Sequence, residues 1–479
     1  MLAHHYREAL SLAEAAGLGT TSLREPARQA FAEGARRALS LGAGPVSLEL
    51  VSEALALTEA NDPGRPVLQL LGTYAARMAS SPELAGLAEA AVDGFLAHGD
   101  TGGAAEAAVL LGSDLFYRGD VENARAMRER SLELARQAPP SPSTARALAT
   151  VARSAQVLDR ENARALELAR EALAMAEEAG DDEIAAMCLN TIGLTRVNSG
   201  DPGGIEDLEL SLDRAAAAGS LFHLQGALNN LANSLWRVGR LAEGSSRIRE
   251  SRALCERYGF ANALLWNDAE RVYDADYRGD LEEVFAEAAD FLSRDASAVG
   301  FQERAVHATR ARALLARGQI DDGLADAESA LASLREAGHD AQVAPVVLTV
   351  AARTLHAAGR DAEAGELLGE VLEGAPDELI YDLPLHLIEL GRAEDYLAVT
   401  EGSSGHRWCE AGRTAAAGNL ADASAIYGQI GAQFAEAWAA LLAAERGNTS
   451  RLEAALAYFE EQQATPYAQR CRALLQASA

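Results

Sequence analysis

The sequence predicts an all-α fold, a superhelical solenoid of paired helices, and three observations carry that expectation. Apolar residues fill 49% of the 479 positions but aromatics only 5%, so alanine, leucine and valine must supply the core. Alanine and leucine are strong helix formers, and β-branched runs are scarce. Next, the tetrapeptide YRGD occurs twice, at 117–120 and 277–280, each time before an acidic, alanine-rich stretch. Finally, glycines recur on a fixed beat. Gly119, Gly200, Gly239, Gly279, Gly318 and Gly359 span 240 residues in six periods of 40 on average, the first gap counting as two. Asp159-Arg160 stand where that ladder lacks a rung. Gly180, Gly219, Gly259, Gly300 and Gly338 form a second ladder, interlaced midway with the first.

Two glycine stops per period mean two helices per repeat. Glycine has no Cβ to clash in the left-handed conformation that closes a helix. The aspartate that follows can accept from the first free N–H groups of the next helix. Asp280 and Glu283 have capping-box spacing, and Arg118 and Arg278 would meet the negative ends of helix dipoles. YRGD thus reads as a helix stop followed by a helix start, which explains both copies without an adhesive role. Within ENARALELAREALAMAEEAG, one apolar stripe runs Leu166, Ala169, Leu173, Ala176 and another Leu168, Ala172, Met175, Ala179. So wide an apolar surface must touch several neighbours, as in a stacked two-layer array.

Three regions follow. Residues 1–100 hold irregular helices broken at GLGTTSLREP, LGAGPVS, NDPGRP and SSPELAG. Residues 101–375 are the regular array, with PPSPS at 139–143 as internal punctuation. Residues 376–479 continue with shorter units, stopped at Gly391, Gly418 and Gly447.

Net charge is −29, so nucleic-acid backbones and anionic membrane surfaces are poor partners. All 42 basic residues are arginine. The absence of lysine excludes a phosphate-loop lysine, a Schiff base and a lysine general base. Cys188, Cys255, Cys409 and Cys471 are far apart, without a CxxC pair, which fits reduced thiols in the cytoplasm. The opening MLAHHYREAL has neither the charged nor the apolar part of a signal peptide. No 18 apolar residues run together, so no span is expected.

Chemical motifs are missing. HGDTGGAAEA and SGDPGGIEDL are glycine-rich but fall at repeat turns. DADYRGDLEEVF places Asp274, Asp276 and Gly279 at three positions of a calcium loop, but Arg278 and Phe285 occupy two others that need oxygen ligands. The nine histidines form no HExxH, and no GxSxG occurs. No catalytic residue, metal site or cofactor is expected.

The unit LNNLANSLWRVGRLAEGSSRIRESRALCERYG resembles a tetratricopeptide repeat. Leu231, Ala232 and Leu235 stand at the first-helix packing positions, Gly239 at the turn, and Gly244 where the family has alanine. Ala124 keeps that alanine in YRGDVENARAMRERSLELA. The longer period resembles the arrays of bacterial signal-transducing ATPases and regulators. LAHHYREALSLAEAAG and GDPGGIEDLELSLDRAAAAG are similar to the array that follows cyclase-like and ATPase domains in those proteins. The resemblance implies a chain that is the array alone, free-standing or truncated. It implies a non-catalytic scaffold or regulatory module that binds a protein or peptide; the alternative is a small-ligand sensor.

In such arrays the first helix of each unit lines the concave side. Setting the turn glycines in register then places Ser113, Phe116, Asn190, Asn198, Asn229, Asn233, Trp236, Tyr273, Asp276 and Arg312 on that face. Amides can hold a peptide backbone and aromatics can anchor it. The same pattern also fits a blander arrangement, with Trp236 and Phe116 in the core and the amides bonded within the solenoid.

Overall fold

In a computed structural model, the chain is described at residues 2–117, 120–294, 300–337, 343–374, 381–403 and 406–478. Those residues form 26 helices and no strand. The opening stretch holds α1 (Leu2–Ala15), α2 (Thr21–Ser40), α3 (Gly44–Ala56), α4 (Arg65–Met78) and α5 (Leu84–Ala97). The regular array begins with α6 (Thr101–Tyr117), α7 (Val121–Gln137), α8 (Pro142–Asp159), α9 (Asn162–Ala179), α10 (Asp182–Asn198) and α11 (Gly204–Ala217). It continues through α12 (Leu221–Arg237), α13 (Leu241–Tyr258), α14 (Ala261–Arg278), α15 (Leu281–Leu292), α16 (Gly300–Arg317), α17 (Ile320–Ala337), α18 (Ala344–Ala357) and α19 (Asp361–Glu373). Shorter helices follow: α20 (Asp382–Glu389), α21 (Ala393–Val399), α22 (Arg407–Ala416), α23 (Leu420–Ile430), α24 (Gln433–Glu445), α25 (Leu452–Glu461) and α26 (Thr465–Ser478).

Even-numbered helices open each hairpin and odd-numbered ones close it. The chain forms two compact units, residues 1–199 with 203–227, and residues 228–479 with 200–202. In each unit first helices pack on first helices, α4 on α6 on α8 on α10 in one, α14 on α16 on α18 in the other. The result is the all-α repeat solenoid expected from the glycine ladder.

The stops behave as the sequence predicts. Gly200, Gly239, Gly279, Gly318 and Gly359 all have φ between +77° and +85°. The missing rung is filled by Arg160, which adopts φ +51° at the end of α8. On the second ladder Gly180, Gly219 and Gly259 are left-handed, but Gly300 opens α16 instead of closing a helix. Gly119, Arg118 and Gly338 lie outside the described residues. Asp120 and Asp280 cap their helices, accepting from Asn123 N at 3.2 Å and Glu283 N at 3.0 Å. Only half of the capping box at Asp280 forms. Its own N–H already donates to Ala275 O at 2.9 Å, closing α14, so the Glu283 carboxylate turns to Arg278 at 2.6 Å. Pro26 sits inside α2, and Pro142 starts α8 behind the Ser141 cap.

Gly244 stands where the resembled family has alanine because Trp236 leaves no room. A Cβ there would lie 2.4 Å from the indole Cδ1 and 2.9 Å from Ala232 O.

In the second unit the short C-terminal helices fold onto the turn side of the first helices. Trp408 donates from Nε1 to Trp236 O at 2.8 Å, and Tyr458 Oη donates to Gly279 O at 2.5 Å. Leu281 N donates to Gln462 Oε1 at 2.9 Å. Trp236, Trp408, Tyr427, Phe434, Trp438 and Phe459 share one buried core with residues of α14 and α16.

Two glycine substitutions separate turn geometry from this packing. At Gly359 a Cβ meets nothing within 4 Å, so Gly359→Ala should cost only the left-handed strain, about 1 kcal/mol. At Gly279 the Cβ would also lie 2.7 Å from the Phe434 backbone nitrogen, and Gly279→Ala should cost about 3 kcal/mol. Urea-denaturation midpoints of the two full-length variants check this; equal losses would mean that the C-terminal helices do not press on the turn.

Candidate functional site

The first-helix face of the second unit is split into two zones. Toward the turns it is covered. Trp236 is fully buried, and Asp276 and Arg312 are nearly so. Arg312 pairs with Asp276 and approaches Asp382 at 3.3 Å. Arg353 completes the chain, 2.7 Å from Asp382 and 3.3 Å from Tyr467 Oη. Tyr381 Oη donates to Asp276 at 3.2 Å. The Arg312 guanidinium lies over the Tyr381 ring and that of Arg353 over Trp438, 5.0 and 4.6 Å from the centroids. Two aspartates and two arginines thus alternate in a buried core joining α14, α16 and α18 to α20, α24 and α26.

The two carboxyls feel this core differently. Burial raises Asp276 above the ordinary aspartate range, outweighing its partner Arg312. Burial also works against Asp382, but there Arg312 and Arg353 together win and hold it below that range.

Toward the N-terminal ends of α12 and α14 a different cluster survives. Asn229 and Asn233 are one helical turn apart, so both amides meet α14. Asn233 Nδ2 donates to Glu270 Oε1 at 2.8 Å, and Asn229 Nδ2 to the same oxygen at 3.2 Å. The Trp266 indole donates to it as well, at 2.9 Å. Glu270 is buried, while Asn233, Trp266 and Tyr273 are half-buried and reach the surface. Tyr273 Oη donates to the Gln302 carbonyl at 3.1 Å.

In the first unit, five successive first helices contribute one connected polar row. Tyr74 of α4 donates to Glu106 of α6 at 2.6 Å, and Arg146 of α8 lies 3.5 Å from the same carboxylate. Arg146 then reaches Glu183 of α10 at 3.1 Å, and His223 of α12 lies 3.7 Å from Glu183. Burial pushes Glu106 up despite Arg146. Burial, with Arg146, Arg77 and Arg153 against Glu183, drives His223 down to about 4, so it is neutral at pH 7. Arg77 stacks on both Tyr74 and the exposed Phe222.

Of the residues expected on the binding face, Asn229 and Asn233 come together, and Trp236, Asp276 and Arg312 join the covered core. Tyr273 lies between. Ser113, Phe116, Asn190 and Asn198 are half-buried in the first unit, where Ser113 Oγ bonds within its own helix to Val109 O at 2.9 Å. Sequence reasoning missed Glu270, Trp266, Asp382, Arg353 and the Glu106–Arg146–Glu183 row. Glu270 and Trp266 carried one signal, an i, i+4 spacing toward the register of Tyr273; the others needed contacts between distant helices. Two surface cavities, of 240 and 380 Å³, are lined by other residues, among them Arg470 and His98. Among the described residues no group of three or more His, Cys, Asp or Glu is placed to hold a metal. No described helix is long and apolar enough to cross a membrane.

Residues 103–178 match the tetratricopeptide repeat family. No curated protein matches the chain. Among solved structures, a Rap protein complexed with competence and sporulation factor is similar, with TM-score 0.52 and 11% identity over 72% of this chain and 97% of that one. The human IFIT1 dimer with m7Gppp-AAAA gives TM-score 0.43 and 12% identity, covering 83% of this chain and 89% of that one. A monomeric IFIT1 mutant with Gppp-AAAA gives 0.43 and 13%, covering 87% and 91%. The Rap likeness shows the shared fold.

The alternating core makes a specific demand on Asp382. Asp382→Asn removes the one carboxylate that Arg353 pairs with among the described residues, as well as one of the two beside Arg312, and should cost about 3–5 kcal/mol. Asp276→Asn keeps an acceptor for Arg312 and removes a charge that burial already disfavours, at a cost of about 1–2 kcal/mol. Because the folded value of Asp382 is depressed, its contribution is complete above the ordinary aspartate range and drains as pH falls through the folded value. Urea midpoints of both variants, followed downward in pH, check the order and the sign; a smaller loss in Asp382→Asn would contradict it.

Proposed function

We propose that the protein is a non-catalytic scaffold or regulatory module that holds a protein or peptide segment along its first-helix faces. The observation that carries this reading is the uncovered zone of α12 and α14. There amides and an indole converge on one half-buried polar cluster, beside a zone the chain has closed with its own helices. Amides suit an extended backbone because each offers a donor pair and an acceptor. The fold shared with a Rap protein solved with competence and sporulation factor supports the same reading.

In this reading the chain works in the cytoplasm of a bacterium, in signalling of the kind that uses cyclase-like and ATPase domains. The resemblance of its repeat units to those arrays supports the assignment. Four buried thiols, none in a disulfide, are consistent with a reducing compartment. The charge of −29 argues against phosphate backbones as ligands.

Peptides selected by display against the full chain should slow amide hydrogen exchange in α12 and α14 and leave the second helices α13 and α15 unchanged. Protection confined to the second helices, or failure of any peptide to be selected, would overturn the proposal.

A further inference from the structure

Four carboxylates of α14 are buried: Asp268, Glu270, Asp274 and Asp276. Three of them have arginines. Asp268 lies 2.7 Å from Arg252 and 2.6 Å from Arg294, Asp274 lies 3.1 Å from Arg278, and Asp276 pairs with Arg312. Glu270, only 3% exposed, has none among the described residues. Its Oε1 is crowded with neutral donors, the amides of Asn229 and Asn233 and the Trp266 indole. Its Oε2 is buried and has no donor among the described residues. The amide oxygen of Asn229, itself 9% exposed, is likewise buried without a donor. Two orphaned acceptors therefore sit in one cluster, and a buried acceptor without a donor is strongly unfavourable.

What would satisfy them is a group rich in donors, positively charged and narrow enough to pass Asn233 and Trp266. A chain without lysine has supplied an arginine to each neighbouring carboxylate and none to this one. The cation must come from elsewhere, and a net charge of −29 draws basic segments toward it. The indole adds a face on which a cation can rest.

We propose that Glu270, with Asn229, Asn233 and Trp266, forms the subsite that takes an arginine or lysine side chain of the bound segment. The inference rests on the reading of the first-helix face as a peptide-binding surface. The amides hold Glu270 Oε1, and the half-buried Asn233 and Trp266 side chains must swing aside for the cation to reach the buried Oε2.

Proton competition gives the site a signature. Burial raises the Glu270 carboxyl to about 7 against its three hydrogen bonds, all from neutral groups of α12 and α14. No ionised side chain of these helices, or of any other described element, contributes to that shift. A cation binds the ionised form, so its affinity should fall roughly tenfold per unit as pH drops below that value.

The probe is a positional library of hexapeptides blocked at both ends, titrated into the full chain by fluorescence anisotropy. Each position carries arginine, lysine, citrulline or norleucine. The expected binders need arginine or lysine at one position, and citrulline there weakens them by roughly tenfold or more. Their affinity should also fall between about pH 8 and pH 6. Glu270→Gln should keep its helicity and urea midpoint, since the side-chain amide can still occupy the cluster, yet lose both the basic preference and the pH dependence. Binders with no basic preference, or a preference that Glu270→Gln leaves intact, would overturn this subsite while sparing the peptide-binding reading. If no hexapeptide in the library binds the wild-type chain, both fall.

Discussion

The architecture depends on one backbone constraint: a residue in the left-handed conformation just past the end of the first helices whose turns the structure describes. That residue turns the chain sharply enough for the second helix to pack back on the first. Lack of a Cβ has a second consequence in the second unit. At Gly239, Gly279 and Gly318 a Cβ would lie 3.0 Å from Arg407, 2.5 Å from the Tyr458 hydroxyl and 3.0 Å from Pro466. The turns are bare, and the C-terminal helices use that bareness to approach. At Gly180, Gly219 and Gly359 the same conformation faces open space. The first ladder therefore closes hairpins, Gly180 and Gly219 join one hairpin to the next, and tertiary docking uses the turns only where the chain returns.

Much of this was legible in the sequence because helix ends are local. Glycine, a following aspartate and a preceding arginine lie within four residues, and their roles follow from φ and from free N–H groups. Even the missing rung was visible, though not that Arg160 would adopt the left-handed conformation. The half-formed capping box shows where locality fails. Glu283 has the right spacing, but closing α14 consumes the N–H it would have accepted from, and Arg278 offers it a charge. The return of α20–α26 was beyond reach for a different reason. Their shorter spacing marks them as distinct, yet nothing in a glycine stop says which surface a helix will cover.

The candidate site divides along the same line. Asn229 and Asn233 could be placed on one face from their one-turn spacing and the register of Gly239. That Trp236, one residue short of another turn along, belongs to a sealed core depended on Trp408, 172 positions away. The glycine register assigns Asp276 and Arg312 to the groove, but their pairing with each other and with Asp382 and Arg353 puts them in the interior. Glu270 was invisible for a subtler reason. In the sequence it is one acid among several in NDAERVYDAD, and what distinguishes it is the partner it lacks.

That lack acquires meaning from the arginines around it. Buried ion pairs are weak evidence of stability, because desolvation offsets most of the Coulombic gain. They do fix which surfaces meet, since each charge must find its counterpart. In α14 the counterparts of Asp268 come from α13 and the flank of α15, that of Asp274 is Arg278 one turn along the same helix, and Asp276 finds Arg312 on the next first helix. The pairings of Asp268 and Asp276 seal the helix against its neighbours. Glu270 faces α12, whose amides occupy Oε1, and no arginine among the described residues reaches Oε2. An uncompensated carboxylate in that position is a poor element of a core and a good element of a recognition surface, because the free energy withheld on folding becomes available when a cation arrives. The arginine ladder and the solitary glutamate are thus two outcomes of one rule, that a buried charge is matched, and the rule places the unmatched one where a partner would enter.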